Sequence, residues 1–268
     1  MTDIYVGDAR LHVINQGFGP PLLLVHGFPL DHTMWRHQIR QFAGKYKVIA
    51  PDLRGFGASD ITPGVVTMED HADDLAALLD ALRIDKAVFC GLSMGGYIGF
   101  EFVRHYSDRL AGLILCDTRA VPDTPEAAKN REALATKVLQ EGTSALAADM
   151  LKKLFGPSTL EAGGDDIPSI RAVMENARPE GVAASLRGMA VRNDSRELLA
   201  DIDVPTLVIV GEHDVISPPD EMKEIAEAIP GAEFLLVEDA GHMAPLEKPE
   251  QVNAAIADFL EKHAHVKV

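Results

Sequence analysis

Gly91-Leu92-Ser93-Met94-Gly95, preceded by the apolar run Ala87-Val88-Phe89-Cys90 and followed by a helix-compatible stretch from Gly96 to His105, decides how this chain reads. A serine with glycine two residues to either side, set between a strand and a helix, is the pattern of a nucleophile elbow. The turn is so tight that side chains at the flanking positions would strike neighbouring backbone, and glycine avoids the collision. The serine is expected at strained dihedrals, with its hydroxyl raised above the sheet. Met94 opens the helix, and its N–H points to where negative charge would develop on an attacked carbonyl. A five-residue pattern of this kind also occurs in ordinary turns, so the rest of the chain must decide its meaning.

Short apolar runs alternate with amphipathic stretches on both sides of that turn, the pattern of an α/β fold with a mainly parallel sheet. Strands are expected at Ile4–Val6, Leu11–Asn15, Leu22–Val25, Tyr46–Ala50, Ala87–Cys90, Leu110–Cys116, Thr206–Val210 and Glu233–Val237. The first two flank Gly7-Asp8-Ala9 as a hairpin would. The central runs are continuously apolar, as strands buried on both faces should be. Helices are expected at Thr33–Phe42, Met68–Leu82, Met94–His105, Pro219–Ala228 and Pro249–His263. Leu75, Leu78, Leu79 and Leu82 form an apolar stripe at helical spacing.

Between Ala120 and Leu199 the alternation stops. This alanine-rich stretch contains no convincing strand and breaks at Gly156-Pro157, Gly163-Gly164 and Pro179. It reads as a helical insertion (120–199) on the C-terminal edge of the sheet, where ligands of α/β proteins bind. The core would then comprise residues 1–119 and 200–268, and Gly163-Gly164 gives the insertion a place to flex. An ordinary helical layer with no role at the site is the plainer alternative.

A chain of 268 residues, 47% hydrophobic and 25% charged, is long enough for one large α/β domain with a full core. Its formal net charge of -16 disfavours nucleic acid and anionic membrane surfaces as partners. Cys90 and Cys116 each end an apolar run and read as buried reduced thiols. Met1-Thr2-Asp3-Ile4-Tyr5 shows neither a basic patch nor the apolar core of a signal peptide. No apolar run approaches the roughly 20 residues that span a bilayer. The expected location is the cytoplasm, and oligomeric state is left open.

A serine needs a base to take its proton, and the base needs a partner to fix its tautomer. His242 is the favoured base among ten histidines, because it lies just past the last expected strand in Asp239-Ala240-Gly241-His242-Met243-Ala244-Pro245. Asp214, in Gly211-Glu212-His213-Asp214 after Thr206–Val210, is the favoured acid. Asp117 follows the Leu110–Cys116 strand and competes for that role, whereas His213 reads as structural. Two N–H donors are needed for an oxyanion. Met94 would supply one and Phe28, in the loop His26-Gly27-Phe28-Pro29, the other. Leu30, Met94, Phe155, Met189 and Val215 are candidate walls of an apolar pocket, and Arg119 reads more readily as a salt-bridge partner than as a substrate anchor. Asp52-Leu53-Arg54-Gly55-Phe56-Gly57-Ala58-Ser59-Asp60 lacks P-loop spacing and a lysine, so it reads as a structural loop.

Ser93, Asp214 and His242 in that order, with the His26-Gly27 and Asp52–Asp60 loops, resemble the α/β-hydrolase superfamily. That resemblance implies an eight-stranded, mostly parallel sheet with its second strand antiparallel, helices on both faces and a cap over the site. Gly91–Gly96, Leu113–Thr118 and the tail from Gly241 to Leu260 are similar to bacterial carboxylesterases and to 3-oxoadipate enol-lactonase-like enzymes. Haloalkane dehalogenases and epoxide hydrolases carry aspartate at the elbow, and Ser93 argues against both. Phe28 stands where cofactor-free haloperoxidases usually have tryptophan, which makes perhydrolase activity secondary. No zinc-ligand cluster or dinucleotide fingerprint occurs, so neither metal nor cofactor is implied. The expected activity is hydrolysis of a small carboxylic ester or lactone through an acyl-enzyme. An enol-lactonase with an anion-friendly pocket is the alternative within that chemistry, and a ligand-sensing signalling protein on the same fold is the alternative outside it.

Overall fold

Eight strands form one sheet in the computed structural model, which describes residues 1–263. In chain order they are β1 (Thr2–Val6), β2 (Ala9–Gln16), β3 (Pro21–Val25), β4 (Lys47–Pro51), β5 (Ala87–Leu92), β6 (Leu110–Cys116), β7 (Thr206–Gly211) and β8 (Glu233–Val237). All eight expected strands are present. Their order in space is β1-β2-β4-β3-β5-β6-β7-β8. β2 pairs antiparallel with β1 and β4, and the remaining pairs are parallel, so β2 alone runs against the others. Every residue of β3, β5 and β7 is buried, which explains why these strands read as continuous apolar runs.

Alternation along the strands divides the core in two. Phe89 points to the side packed by α2 (Met68–Ala81), α3 (Met94–Tyr106) and α9 (Pro219–Ala228). Val88, Cys90 and Leu92 point to the side packed by α1 (Arg36–Phe42) and α10 (Pro249–His263). The expected helix at Thr33–Phe42 is split: His32–Trp35 is a 3-10 turn capped by Asp31, and α1 follows it. α2 starts with a capping box in which Thr67 and Asp70 satisfy each other's backbone N–H. Cys90 and Cys116 are buried and unbridged.

Between β6 and β7 the chain forms α4 (Pro125–Glu141), α5 (Ser144–Leu154), α6 (Pro157–Ala162), α7 (Asp166–Asn176) and α8 (Pro179–Ala190), with no strand. The glycine and proline breaks fall at helix ends: Pro157 and Pro179 open α6 and α8, and Gly163 closes α6 at φ 65°. Two contacts seat these helices. α8 lies against the loop after β4, where Gly181 approaches Gly55 so closely that a Cβ on Gly181 would stand 2.0 Å from the Gly55 carbonyl oxygen. The α5–α6 junction lies against the loop after β8, where Met243 N–H donates to the Leu154 carbonyl at 3.0 Å. The Glu247 carboxylate joins the same two segments, accepting from Gly156 N–H (2.8 Å) and Gly241 N–H (2.7 Å). Both loops leave C-terminal ends of strands, so the inserted helices meet that edge of the sheet. No helix of the described residues is long and apolar enough to cross a membrane.

Glycine packing and one buried base make the fold testable. A Cβ at Gly95 would stand 2.3 Å from the Val25 carbonyl oxygen, whereas at Gly44 it would meet nothing within 4 Å. Gly95→Ala should therefore lose about 1–3 kcal/mol or more, and Gly44→Ala should melt at or slightly above the wild-type temperature. Equal melting of the two variants in a calorimetric scan would contradict this packing. His71 of α2 is fully buried with neither ring nitrogen hydrogen-bonded, and burial pushes its pKa down from 6.5 to about 3. The unfolded chain protonates this ring below pH 6.5 while the native state resists until about 3, so stability is complete above that window and falls through it. Denaturant unfolding between pH 7 and 4 should show a shallower acid loss for His71→Leu than for wild type, by up to about 1.4 kcal/mol per pH unit.

Candidate active site

Ser93 occupies the N-cap of α3 at φ 55° and ψ −113°, a region that costs a residue with a side chain about 1–3 kcal/mol. Four hydrogen bonds hold it there. Its N–H donates to the Cys116 carbonyl (2.9 Å), and its carbonyl accepts from Thr118 Oγ1 (2.8 Å), Gly96 N–H (2.9 Å) and Tyr97 N–H (3.2 Å). The glycines around it have no room for a side chain: a Cβ on Gly91 would lie 2.3 Å from the Gly95 carbonyl oxygen. Although Ser93 stands at a capping position, its hydroxyl makes no capping bond and so stays available for other chemistry.

Asp214 follows β7 and His242 follows β8, one strand further out. Both are buried, and His242 Nδ1 lies 2.7 Å from Asp214 Oδ2. The other Asp214 oxygen accepts from Ile216 N–H (2.8 Å) and Ser217 N–H (3.0 Å), which fixes the carboxylate plane. With Nδ1 directed at a carboxylate, the ring carries its proton there and leaves Nε2 as an acceptor. Among the described residues no hydrogen bond joins Ser93 Oγ to His242 Nε2, a contact that commonly tightens only with substrate in place.

The loop after β3 crosses the elbow. A Cβ on Gly27 would stand 2.9 Å from Leu92 Cδ2 and 3.3 Å from Ser93 Cβ, so the missing side chain lets this backbone pass close to the elbow. His26 fastens the loop: Nε2 accepts from Leu53 N–H (2.9 Å), which assigns the proton to Nδ1 and its bond to the Gly27 carbonyl (2.9 Å). Burial pushes the His26 pKa down and favours this neutral, two-ended clamp. Neither Phe28 N–H nor Met94 N–H donates to an acceptor among the described residues. Asp52 organises the neighbouring loop, with Oδ1 accepting from His32 N–H (3.0 Å) and Nδ1 (2.6 Å), and Oδ2 accepting from Ala58 N–H (2.8 Å). The Asp52–Asp60 segment thus forms a structural loop.

Other residues singled out in the sequence take different places. Val215 is 69% exposed and does not line an enclosed pocket: the Asp214 carboxylate draws in the two N–H groups beyond it and turns the intervening side chain outward. Leu30, Phe155 and Met189 are buried. Leu30 borders a surface groove with Thr33 of the 3-10 turn and Ala172 of α7, Phe155 lies at the α5–α6 junction against the Gly241 backbone, and Met189 belongs to the core beneath α8. Arg119 pairs with both oxygens of Glu221 at 2.8 Å. His213 is exposed, with its N–H donating to the Ala240 carbonyl. Asp117 lies buried beside Asp214 and His242, with one donor atom from each within 4.8 Å of the others. His242 and Asp214 already engage each other, and no pattern in the set selects a particular metal. Two contributors have no role assigned from the sequence: Thr118, which anchors the elbow, and Glu247, whose role depends on how the insertion folds back.

Comparison with known proteins agrees with this fold. The profile of the alpha/beta hydrolase fold family matches residues 20–249. A thermophilic esterase from Thermogutta terrifontis superposes with a TM-score of 0.96 at 49% identity, covering 99% of both chains. The enol-lactonase from Burkholderia xenovorans LB400 superposes at 0.91 with 32% identity over 97% of this chain and 100% of its own. In sequence, 3-oxoadipate enol-lactonase 2 of Acinetobacter baylyi is 29% identical, covering 91% of this chain and 89% of the relative. The chain is a hydrolase belonging to the alpha/beta hydrolase fold family.

Proposed function

We propose that this chain is a serine esterase that cleaves small carboxylic esters through an acyl-enzyme. The observation that carries the reading is the buried 2.7 Å bond from His242 to Asp214, formed at the same edge of the sheet that carries a serine held at φ 55° with an uncommitted hydroxyl. Ser93 Oγ attacks the ester carbonyl while His242 Nε2 takes its proton. Asp214 holds the imidazole and balances the imidazolium. The N–H groups of Phe28 and Met94 receive the oxyanion. His242 then protonates the departing alcohol, and the same ring activates water to release the acid. No metal or cofactor takes part in these steps. The helices between Pro125 and Ala190 act as a cap over the site, seated by Gly181 on one side and Glu247 on the other. The substrate is a small molecule reached from solution.

An ester is preferred to a lactone because the 49% identical structural neighbour is an esterase. The enol-lactonases at 32% and 29% identity support a lactone as the second reading, by the same mechanism in a pocket suited to a charged substrate. Turnover of p-nitrophenyl acetate, butyrate and octanoate separates them. Wild type should cleave at least one of these quickly, and Ser93→Ala should retain its fold while kcat falls by about 10⁴–10⁶. Slow cleavage of every simple ester with fast opening of an enol-lactone would favour the lactonase. Unchanged activity in Ser93→Ala would overturn both.

A further inference from the structure

The ester-cleavage scheme leaves one buried acid unused. Asp117 follows β6, the strand between those that deliver Ser93 and Asp214. It is fully buried and adopts φ 47°, a left-handed conformation unusual for a residue with a side chain. Its N–H donates to the Ile209 carbonyl (2.9 Å), and its carbonyl accepts from Ser217 Oγ (3.0 Å). The side chain is therefore placed deliberately, with Oδ1 accepting from Gly211 N–H at 2.9 Å. Oδ2 is buried and has no hydrogen-bond donor.

Counting donors around this cluster locates a proton. Asp214 accepts three hydrogen bonds, from Ile216, Ser217 and His242. Asp117 accepts one, from Gly211. The titratable groups facing Asp117 are Asp214 from the loop after β7, His242 from the loop after β8, and Cys116, its neighbour on β6. None is a permanent cation. Two carboxylates this close in a dry site do not both ionise, and the better-solvated one keeps the charge. A proton on Asp117 Oδ2 turns an acceptor facing an acceptor into a hydrogen bond.

We infer that Asp117 is a neutral carboxylic acid whose Oδ2–H donates to the Asp214 carboxylate, making it a positioning residue that keeps Asp214 ionised and aimed at His242. The inference rests on the proposed Ser93–His242–Asp214 reading. Burial, and next the negative charge of Asp214, push the Asp117 acid well above the usual carboxylate range, in agreement with the donor count. Donation from Asp117 also gives the Asp214 carboxylate a fourth hydrogen bond, which holds it in place under the imidazolium that forms as Ser93 is deprotonated.

Asparagine tests this arrangement because its Oδ1 can accept from Gly211 while its Nδ2–H donates to Asp214. The infrared difference spectrum between wild type and Asp117→Asn at neutral pH should show a protonated carboxylic acid C=O band in wild type alone. Asp117→Asn should keep kcat/KM within about threefold and leave the acid limb of its pH profile in place. Asp117→Ala should lose about 10–100-fold in kcat, the effect of removing a hydrogen bond to a charged group, with KM little changed. Absence of the acid band would overturn the proposal, as would a downward shift of the acid limb in Asp117→Asn, since that substitution would then have removed a negative charge from beside the imidazolium. Wild-type activity in Asp117→Ala would also overturn it. If Asp117→Asn does not fold, carbon-13 NMR titration of the aspartate carboxyls in wild type reads the same proton. Both spectroscopic tests are independent of turnover, so a failure of the Ser93 mechanism would be seen separately.

Discussion

The structure depends most on the compression of backbone against backbone where β5 turns into α3. Gly91 faces the Gly95 carbonyl and Gly95 faces the Val25 carbonyl, each with about 2.3 Å where a Cβ would be. That crowding brings α3 directly onto the sheet and forces Ser93 to φ 55°. Strain at one residue persists because its neighbours over-determine it. Here the restraint comes from both adjoining strands: Cys116 at the end of β6 holds the Ser93 N–H, Thr118 just beyond holds its carbonyl, and Gly27 after β3 passes over its Cβ. A hydroxyl placed in this way has no local backbone partner.

Around that turn, buried and half-buried polar side chains act as ties between loops. His26 joins the loop after β3 to the loop after β4, and Asp52 fastens the second loop to His32 and Ala58. Glu247 ties the inserted helices to the segment carrying His242. Buried groups of this kind stabilise a fold only when their hydrogen bonds are made. Each tie has both ends occupied, and each connects segments distant in sequence. The arrangement of loops at the C-terminal edge is thus fixed by side-chain chemistry as much as by the sheet.

The strands and most helices were legible because their signals are local. Apolar runs bounded by glycine and proline place all eight strands, and Pro157, Gly163 and Pro179 mark helix ends inside the insertion. Gly91, Ser93 and Gly95 declare a turn whose geometry follows from backbone sterics alone. Side-chain direction was harder to read. Val215 looked like an apolar wall beside Asp214, yet a two-bond turn at the carboxylate sends it to solvent. Thr33–Trp35 reads in the sequence as continuous with α1, but Asp31 and Asp52 impose a 3-10 turn over His32–Trp35. The roles of Glu247 and Thr118 were not legible because the ties they make to Gly156 and Ser93 reach 91 and 25 residues along the chain. Asp117 and Asp214 both stand after strands of the sheet, and their chain positions do not say which of them faces the imidazole; the 2.7 Å contact with His242 belongs to Asp214.

Ser93 as the nucleophile is the centre of this account, and covalent capture tests it most directly. A p-nitrophenyl alkylphosphonate mimics the tetrahedral state and leaves a stable adduct on an activated serine. Intact-mass measurement should show one equivalent added per chain as one p-nitrophenol is released, and peptide mapping should locate it on Ser93. No adduct, or an adduct elsewhere while ester cleavage continues, would contradict the account.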